Sequence, residues 1–384
     1  MGPLNGIRIV EIAGIGPGQF CGMLLADMGA SVLRIDRLEP ADLGVAMPPR
    51  YNLMNRSRPV VPLDLRRPEG VELVLDLCAG ADALFEGFRP GVMERLGLGP
   101  EQCMARNPRL VYGRMTGWGQ DGPLAERAGH DPNYIALAGV LGSIGERGGP
   151  PVYPLNLVGD FGGGGAYMAL GLLAGILEAS RSGQGQVVDA AMVDGAASLM
   201  TLFHGLAAAG LWKDERGSNV LDGGAPFLRP YETADGGHVV VGALEGRFFR
   251  ELLDRLGIDD LDPAWQYDRR RWPEIERRLA EVFRSRTRAE WVEAFEGSDA
   301  CCAPVLSLSE ATRHPHNVAR GTYVEVDGIV QPAPAPRFSR TPSAAPRPPA
   351  SAGTGAASAL AEWNVPAERV SALCEAGVLR VGRP

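Results

Sequence analysis

Apolar and β-branched residues gather into short strand-like runs along the first half of the chain: Ile7 to Ile12, Ser31 to Ile35, Pro59 to Leu63, Asp82 to Phe85, Arg109 to Tyr112 and Gln186 to Asp189. Between the first two, Ala13-Gly14-Ile15-Gly16-Pro17-Gly18 turns the chain into a helix over Gln19 to Met28. Pro17 suits a first helical position and Gly29 a helix end, so the opening reads as a βαβ unit. Met115 to Pro123 reads as a long turn, a helix starts near Gly165 on the apolar run Ala166 to Leu177, and another covers Ala190 to Leu202.

The second half changes character. Lys213 to Gly224 is polar and glycine-rich, a linker by composition. Beyond it a strand and turn at Tyr231 to His238 lead into Val239 to Ala243. Amphipathic helices follow at Arg247 to Leu256, Trp272 to Ser285 and Arg288 to Phe295, then a strand at Ala303 to Leu306. Gln331 to Pro349 is too dense in proline for a helix and reads as an extended arm, ahead of two short helices at Ala356 to Glu362 and Ala367 to Gly377. The expected organisation is an α/β domain over residues 1–200, a linker over 201–224, a smaller α+β domain over 225–318, and a linker with a C-terminal arm over 319–384.

Length and charge then narrow the function. The 384 residues suffice for two or three domains, and a net charge of −8 argues against a nucleic-acid binder. An anionic ligand therefore needs local arginines. The six cysteines have no CxxC spacing and read as reduced cytosolic thiols, and the five histidines form no HExxH pattern, so no metal site is expected. No export signal is evident, a cytoplasmic location is expected, and Ala166 to Leu177 alone is too short to span a membrane.

Chemistry concentrates between Gly129 and Gly165. His130 precedes Asp131, and Asp160 stands directly before Phe161 and the glycines 162 to 165. A carboxylate next to consecutive glycines and a helix start sits where backbone N–H groups converge, a place that holds developing negative charge. On the residues alone, Asp160 reads equally well as an N-cap and His130 as a core histidine. The turn after the first strand resembles a dinucleotide fingerprint, with Asp36 as a ribose acid. Gln19, however, replaces the third glycine, which argues against nicotinamide or flavin. Arg34, Arg37, Arg56, Arg58, Arg89 and Arg95 fall near the ends of successive strands, where open α/β sheets bind ligands; they read either as solvated charge or as contacts to a phosphate-rich ligand.

Several ordered segments are similar to the α-methylacyl-CoA racemases of the formyl-CoA and carnitine-CoA (class III, CaiB/BaiF) transferase superfamily. They are Gly6 to Ile12, Arg114 to Gln120, Gly129 to Tyr134, Val158 to Gly164 and Val188 to Gly195. The resemblance implies a large Rossmann-like α/β domain completed by the C-terminal arm, a small domain, and an interlocked homodimer whose site lies between the large domain of one chain and the small domain of the other. It implies an acyl-CoA ligand with no metal or redox cofactor beyond the CoA carried by the substrate. By matched position it implies His130 and Asp160 as catalytic groups, Glu245 as the histidine's supporting carboxylate, and CoA contacts at Arg37, Arg89 and the segment holding Gly129, Asp131, Asn133 and Tyr134. Arg56 and Arg95 are added on the strand-end argument. Pro132 and Phe227 to Pro230 depart from the family pattern, at positions that bear on acyl preference.

The reaction so implied inverts the α-carbon of a 2-methylacyl-CoA through an enolate, with two acid/base groups on opposite faces and backbone N–H groups around Asp160 to Gly162 sharing the oxyanion. The alternative is CoA transfer with Asp160 as a nucleophile forming an acyl-aspartyl anhydride. A third reading is a silent acyl-CoA-binding protein.

Overall fold

The six strand-like runs of the N-terminal half pair into one sheet in the computed structural model, which describes residues 2–39 and 47–382. In chain order the elements to residue 199 are β1 (Arg8–Ile12), α1 (Pro17–Asp27), β2 (Ser31–Asp36), β3 (Val60–Pro62), α2 (Pro68–Ala79), β4 (Ala83–Glu86), α3 (Val92–Arg95), α4 (Pro100–Arg106), β5 (Val111–Thr116), α5 (Asp131–Leu137), α6 (Val140–Ser143), a π-helix (Val158–Ala166), α7 (Tyr167–Ser182), β6 (Val187–Ala191) and α8 (Met192–Leu199). Every pairing in the sheet is parallel, in the order β3-β2-β1-β4-β5-β6. The chain winds outward from β1 through β2 to β3, then returns to lay β4 on the other side of β1. Strand order therefore reverses between β1 and β4, and the helices on either side diverge there to leave a crevice at the carboxyl ends of the strands.

The sheet is covered on both faces, which is why its strands read as apolar runs instead of an alternation. Val10, Ile12, Leu33, Ile35, Leu84 and Tyr112 point to one face and join Leu73 and Leu77 of α2 in a core. Ile9, Val32, Ala83, Phe85, Val111 and Met115 point to the other and meet Cys21 and Leu25 of α1 and Met168 and Leu172 of α7.

The chain divides into two compact units, one of Met1–Ala138, Leu155–Leu199 and Arg320–Pro384, the other of Gly139–Pro154 and Met200–Ala319. The second unit holds α9 (Thr201–Ala208), inside the stretch read as a linker. It continues with β7 (Leu228–Glu232), β8 (His238–Gly242), α10 (Gly246–Leu256), α11 (Trp272–Phe283), α12 (Arg288–Ala294), β9 (Cys302–Pro304), α13 (Leu308–Ala311) and α14 (Pro315–Arg320). Its three strands form an antiparallel sheet over a core that includes Phe227, Phe249, Phe283 and Trp291. Back in the first unit come β10 (Tyr323–Val326), β11 (Ile329–Pro332), α15 (Ala356–Glu362) and α16 (Ala367–Glu375); Leu360 and Val370 of the last two enter the same core as α2.

Three local expectations change. Met115 and Thr116 extend β5 and are not part of the following turn. The start of the proline-rich arm, Gln331 and Pro332, belongs to a hairpin with β10, turned at Asp327 and Gly328, both with positive φ (52° and 75°) as a two-residue hairpin loop requires. The helix expected near Gly165 begins before Asp160, because the π-helix runs straight into α7. Residues 155–182 thereby make one helical stretch long and apolar enough by composition to cross a membrane. Here it packs in the unit, with Met168, Ala169, Leu172 and Ala179 buried.

Candidate active site

A cleft of ≈ 300 Å³ opens at the switch point, lined by the segments that leave β1 (Ile12 to Gly18), β4 (Gly87 to Pro90) and β5 (Met115 to Trp118), together with Arg127, Gly129, His130, Tyr134, Asp160 and Met192. His130 and Asp160, thirty residues apart, thus face one space. His130 is the residue before α5; its N–H donates to Asn133 Oδ1 (3.0 Å), and its carbonyl accepts the Asn133 N–H (2.8 Å). The imidazole itself is exposed to the cleft. Gly129 is small by necessity, since a Cβ there would stand 2.7 Å from Tyr134 Cε1 and 3.0 Å from Trp118 Cζ2. Trp118 and Tyr134 meet edge to face at 4.8 Å, so an aromatic pair backs the histidine.

Asp160 lies in the first turn of the π-helix, whose glycines serve close packing. A Cβ at Gly159 would fall 2.5 Å from Asp131 Oδ2, one at Gly163 2.6 Å from Ala196 N, and one at Gly165 2.7 Å from the Pro17 carbonyl. Burial pushes the Asp160 carboxyl up from the ordinary range. Asn156 Nδ2, donating at 3.1 Å, opposes that shift, the Asp131 carboxylate adds to it, and His130 opposes it. A carboxyl held toward its acid form beside an imidazole is a pair able to give and take a proton. Tyr134 is no rival base: burial pushes its phenol up to about 12, and it donates to the Gly129 carbonyl.

The anion-holding reading of the Asp160 turn is corrected at one donor. The Asp160 N–H donates to Asp131 Oδ2 at 2.7 Å, so it is committed. At the start of α5, Pro132 has no N–H and that of Asn133 is taken by the His130 carbonyl, which narrows the backbone donors at this end of the cleft. Asp131, expected among the ligand contacts, is 2% exposed, with its carboxylate turned to the Asp160 N–H and outside the cleft lining. Asn133 holds the His130 backbone as described.

The arginines separate into two groups. Arg89 is exposed and lines the cleft. Arg37 lines a second cavity of ≈ 540 Å³ at the ends of β1, β2 and β3, with Asp36, Leu65, Arg66 and Phe88; Phe88 borders both spaces. Arg95 is exposed on α3 but lines neither. Arg56 is removed from the ligand contacts: it is 3% exposed, its fork grips Asp27, and Nη1 donates to Gln331 Oε1 (3.0 Å) and the Pro332 carbonyl (2.7 Å). Arg34 and Arg58 are likewise buried, both paired with Glu11. Sequence position put these side chains near strand ends, but partners far along the chain turned them inward. Glu245 belongs to the second unit, exposed at the N-cap of α10, where its charge raises the Tyr267 phenol and the Cys301 thiol, burial being the larger cause for both. Phe88 and Arg127 are cleft residues not singled out from sequence, whereas Gly14 to Gly16 stand in the turn after the first strand and Trp118 in the Arg114 to Gln120 segment. No cluster of three or more metal-ligating side chains occurs among the described residues.

Glu86, at the end of β4, supports the Gly87 to Pro90 wall by accepting the Phe88 N–H at 2.6 Å. Burial raises its carboxyl to about 7; the Phe88 N–H and Arg114 oppose the shift, and Glu94 and Asp189 add to it. Because the folded pKa exceeds the unfolded one, the folded state binds more protons between the ordinary value of 4.5 and about 7, and stability falls as pH rises through that window. Glu86→Gln keeps the acceptor and removes the buried charge. It is expected to raise the melting temperature at pH 8, by an amount reflecting roughly 2–3 kcal/mol, and to leave it nearly unchanged at pH 4.5. Calorimetry at the two pH values checks this.

The comparisons agree with this fold. The family model described as CoA-transferase family III matches residues 4–354. The chain is 46% identical over 342 residues to an alpha-methylacyl-CoA racemase of Mus musculus, covering 88% of this chain and 87% of that one. It is 32% identical over 362 residues to a succinyl-CoA–D-citramalate CoA-transferase of Chloroflexus aurantiacus, covering 88% and 89%. Among solved structures, a CaiB/BaiF family protein from Brucella suis superposes with a TM-score of 0.80 at 25% identity, covering 94% of this chain and 99% of that one. A parallel sheet with this crevice, carrying a histidine and an aspartate in segments that align over nearly the whole length, makes the chain a member of the CoA-transferase family III.

Proposed function

We propose that the chain is an acyl-CoA racemase that inverts the α-carbon of 2-methylacyl-CoA thioesters. The observation that carries the reading is the pairing of an imidazole with a carboxyl of raised pKa in one cleft at the switch point of the sheet. An α-proton of a thioester is weakly acidic. In one direction neutral His130 takes it, the C–H electron pair moves into an enolate, and the acid form of Asp160 delivers a proton to the opposite face. In the other direction the roles exchange. Each turnover leaves the pair with one shared proton in the opposite place, and solvent exchange resets it. We assign to the N–H of Asp131, the residue after His130, donation to the developing oxyanion, an interaction worth on the order of 3 kcal/mol. The stronger similarity to racemases than to transferases also supports this reading. The test is incubation of the protein with one enantiomer of a 2-methylacyl-CoA in deuterated water. Deuterium at Cα with inversion is expected; an acyl transfer with no exchange at Cα would overturn the proposal in favour of the nucleophilic aspartate.

The two cavities that share Phe88 suit a long ligand, with the nucleotide end toward Arg37 and the thioester toward His130. Arg37→Ala and Arg89→Ala are each expected to weaken CoA binding roughly tenfold, about 1.4 kcal/mol, at low salt. The loss should shrink at high salt, where phosphate attraction is screened. Titration calorimetry at two ionic strengths decides, and unchanged affinity would return these arginines to ordinary surface charge. A homodimer is part of the proposal, supported by the resemblance and by the exposed side chains of Leu155, Leu157, Leu170 and Leu177 on the long helix, which a second chain would cover. So is the support of His130 by Glu245, which rests on the resemblance alone.

A further inference from the structure

The wall of the cleft that faces Asp160 is the segment Gly14 to Gly18, and it carries no regular structure before α1 begins. Gly16, with φ of 57°, approaches so closely that a Cβ on it would stand 3.0 Å from Asp160 Oδ2. Something must hold this segment against the carboxyl. Beneath it lies Glu11, fully buried on β1, paired through one oxygen with Arg34 of β2 and through the other with Arg58. Arg34 Nη2 donates to the Gly14 carbonyl at 3.1 Å, and Arg58 Nη2 donates to the Gln19 carbonyl at 3.1 Å. The two arginines therefore grip the backbone at the first of these cleft-lining residues and just after the last, while one carboxylate ties them to each other and to the sheet. Arg58 is further fixed by the Met54 carbonyl and by Asn55 Oδ1 (3.1 Å). Gly22 of α1 is open for the same reason: any side chain there would occupy the space of the Arg58 guanidinium and Glu11.

From this geometry we infer that the Glu11–Arg34–Arg58 cluster is a positioning device for the reaction, setting the distance between the Gly14 to Gly18 wall and the Asp160 carboxyl and keeping water from it. The inference rests on the proton-transfer reading of the cleft. Arg34 is the member to remove, because the buried cluster holds two cations and one anion; its other acidic neighbour, Asp36, 3.6 Å from Nε, is 37% exposed and stays solvated without it. Replacing Arg34 leaves a neutral Glu11–Arg58 pair, whereas replacing Glu11 would strand two buried cations. Arg34→Gln and Arg34→Lys both lose the double grip on Glu11 and Gly14. The released wall lets water reach Asp160, so its raised carboxyl relaxes toward the ordinary range. In the direction in which Asp160 is the base, the acid limb of the rate profile follows the ionisation of that carboxyl, so the limb moves to lower pH.

The experiment is a pH profile of racemisation for wild type, Arg34→Gln, Arg34→Lys and, as a control for weakening a buried ion pair elsewhere in the same unit, Arg56→Lys. Hydrogen exchange of residues 13–20 is measured in parallel on the ligand-free proteins. For both Arg34 variants the expected result is a fall in kcat of roughly ten- to a hundredfold with KM changed less than threefold, an acid limb displaced downward by half a pH unit or more, and faster exchange confined to residues 13–20. Arg56→Lys should lower the melting temperature without displacing the limb. An unmoved limb together with unchanged exchange at residues 13–20 would overturn the inference. So would a displaced limb in Arg56→Lys, which would show general loosening. If wild type itself gives no exchange at Cα, the functional reading fails instead, and the hydrogen-exchange comparison still decides whether Arg34 holds the wall.

Discussion

Asp160→Asn is expected to stop inversion while leaving proton exchange intact for one enantiomer of the substrate. The variant keeps the shape of the side chain and its place against Asn156, but it can neither take nor give a proton. His130 then serves its own face alone. It removes the α-proton from the enantiomer that presents hydrogen to it, and in deuterated water returns deuterium to the same face without changing configuration. His130→Ala should show the mirror result with the opposite enantiomer. Each inversion rate should fall by about 10³- to 10⁴-fold, and the double variant should be little slower than either single one, because the two groups act as a unit. Chiral analysis with deuterium counting reads both quantities at once. Inversion at a normal rate in either variant would defeat the two-base assignment. Loss of exchange for both enantiomers in Asp160→Asn, with an acyl group trapped on the wild-type aspartate by hydroxylamine, would identify the transferase chemistry instead.

Gly195→Ala should be among the most damaging single methyls added to the first unit. Gly195 on α8 and Gly163 on the π-helix pack backbone to backbone, and a Cβ on Gly195 would fall inside the Gly163 carbonyl group. Main chain cannot swing aside as a side chain does, so either α8 or the helical turn carrying Asp160 must shift. Overpacking of this kind costs about 3 kcal/mol or more. The expected outcome is a melting temperature lowered by roughly 10 °C, since each kcal/mol shifts a unit of this size by about 2–4 °C, with activity lost even below the transition. Gly205→Ala in α9 is the contrast. A Cβ there meets nothing within 4 Å, and a helical glycine replaced by alanine gains up to about 1 kcal/mol. Thermal melts of the two variants side by side test both statements, and a Gly195→Ala protein as stable as the native one would overturn the close backbone contact between the two helices.

Much of the fold was legible along the chain because its causes are local. Pairing on a sheet covered on both sides demands runs such as Ile7 to Ile12, and Pro17 and Gly29 mark the ends of a helix by their own backbone chemistry. The hairpin at Asp327-Gly328 was equally local and went unread beside the proline-rich arm. His130 and Asp160 were recognisable because two proton-transfer residues stood in motifs whose order and spacing match a family. What only the tertiary structure decided depends on residues distant in sequence. The strand order that places a crevice at β1 and β4 follows from one return of the chain across the sheet. The fate of each arginine followed from whether a carboxylate reached it first: Glu11 drew in Arg34 and Arg58, Asp27 drew in Arg56, and Arg37 and Arg89 stayed at the cavities. The Asp160 N–H was lost to an oxyanion for the same reason, because Asp131, twenty-nine residues earlier, folds onto it. Local propensity operates over a few residues, whereas burial of a charge is set by whichever partner the packed core brings within hydrogen-bond reach.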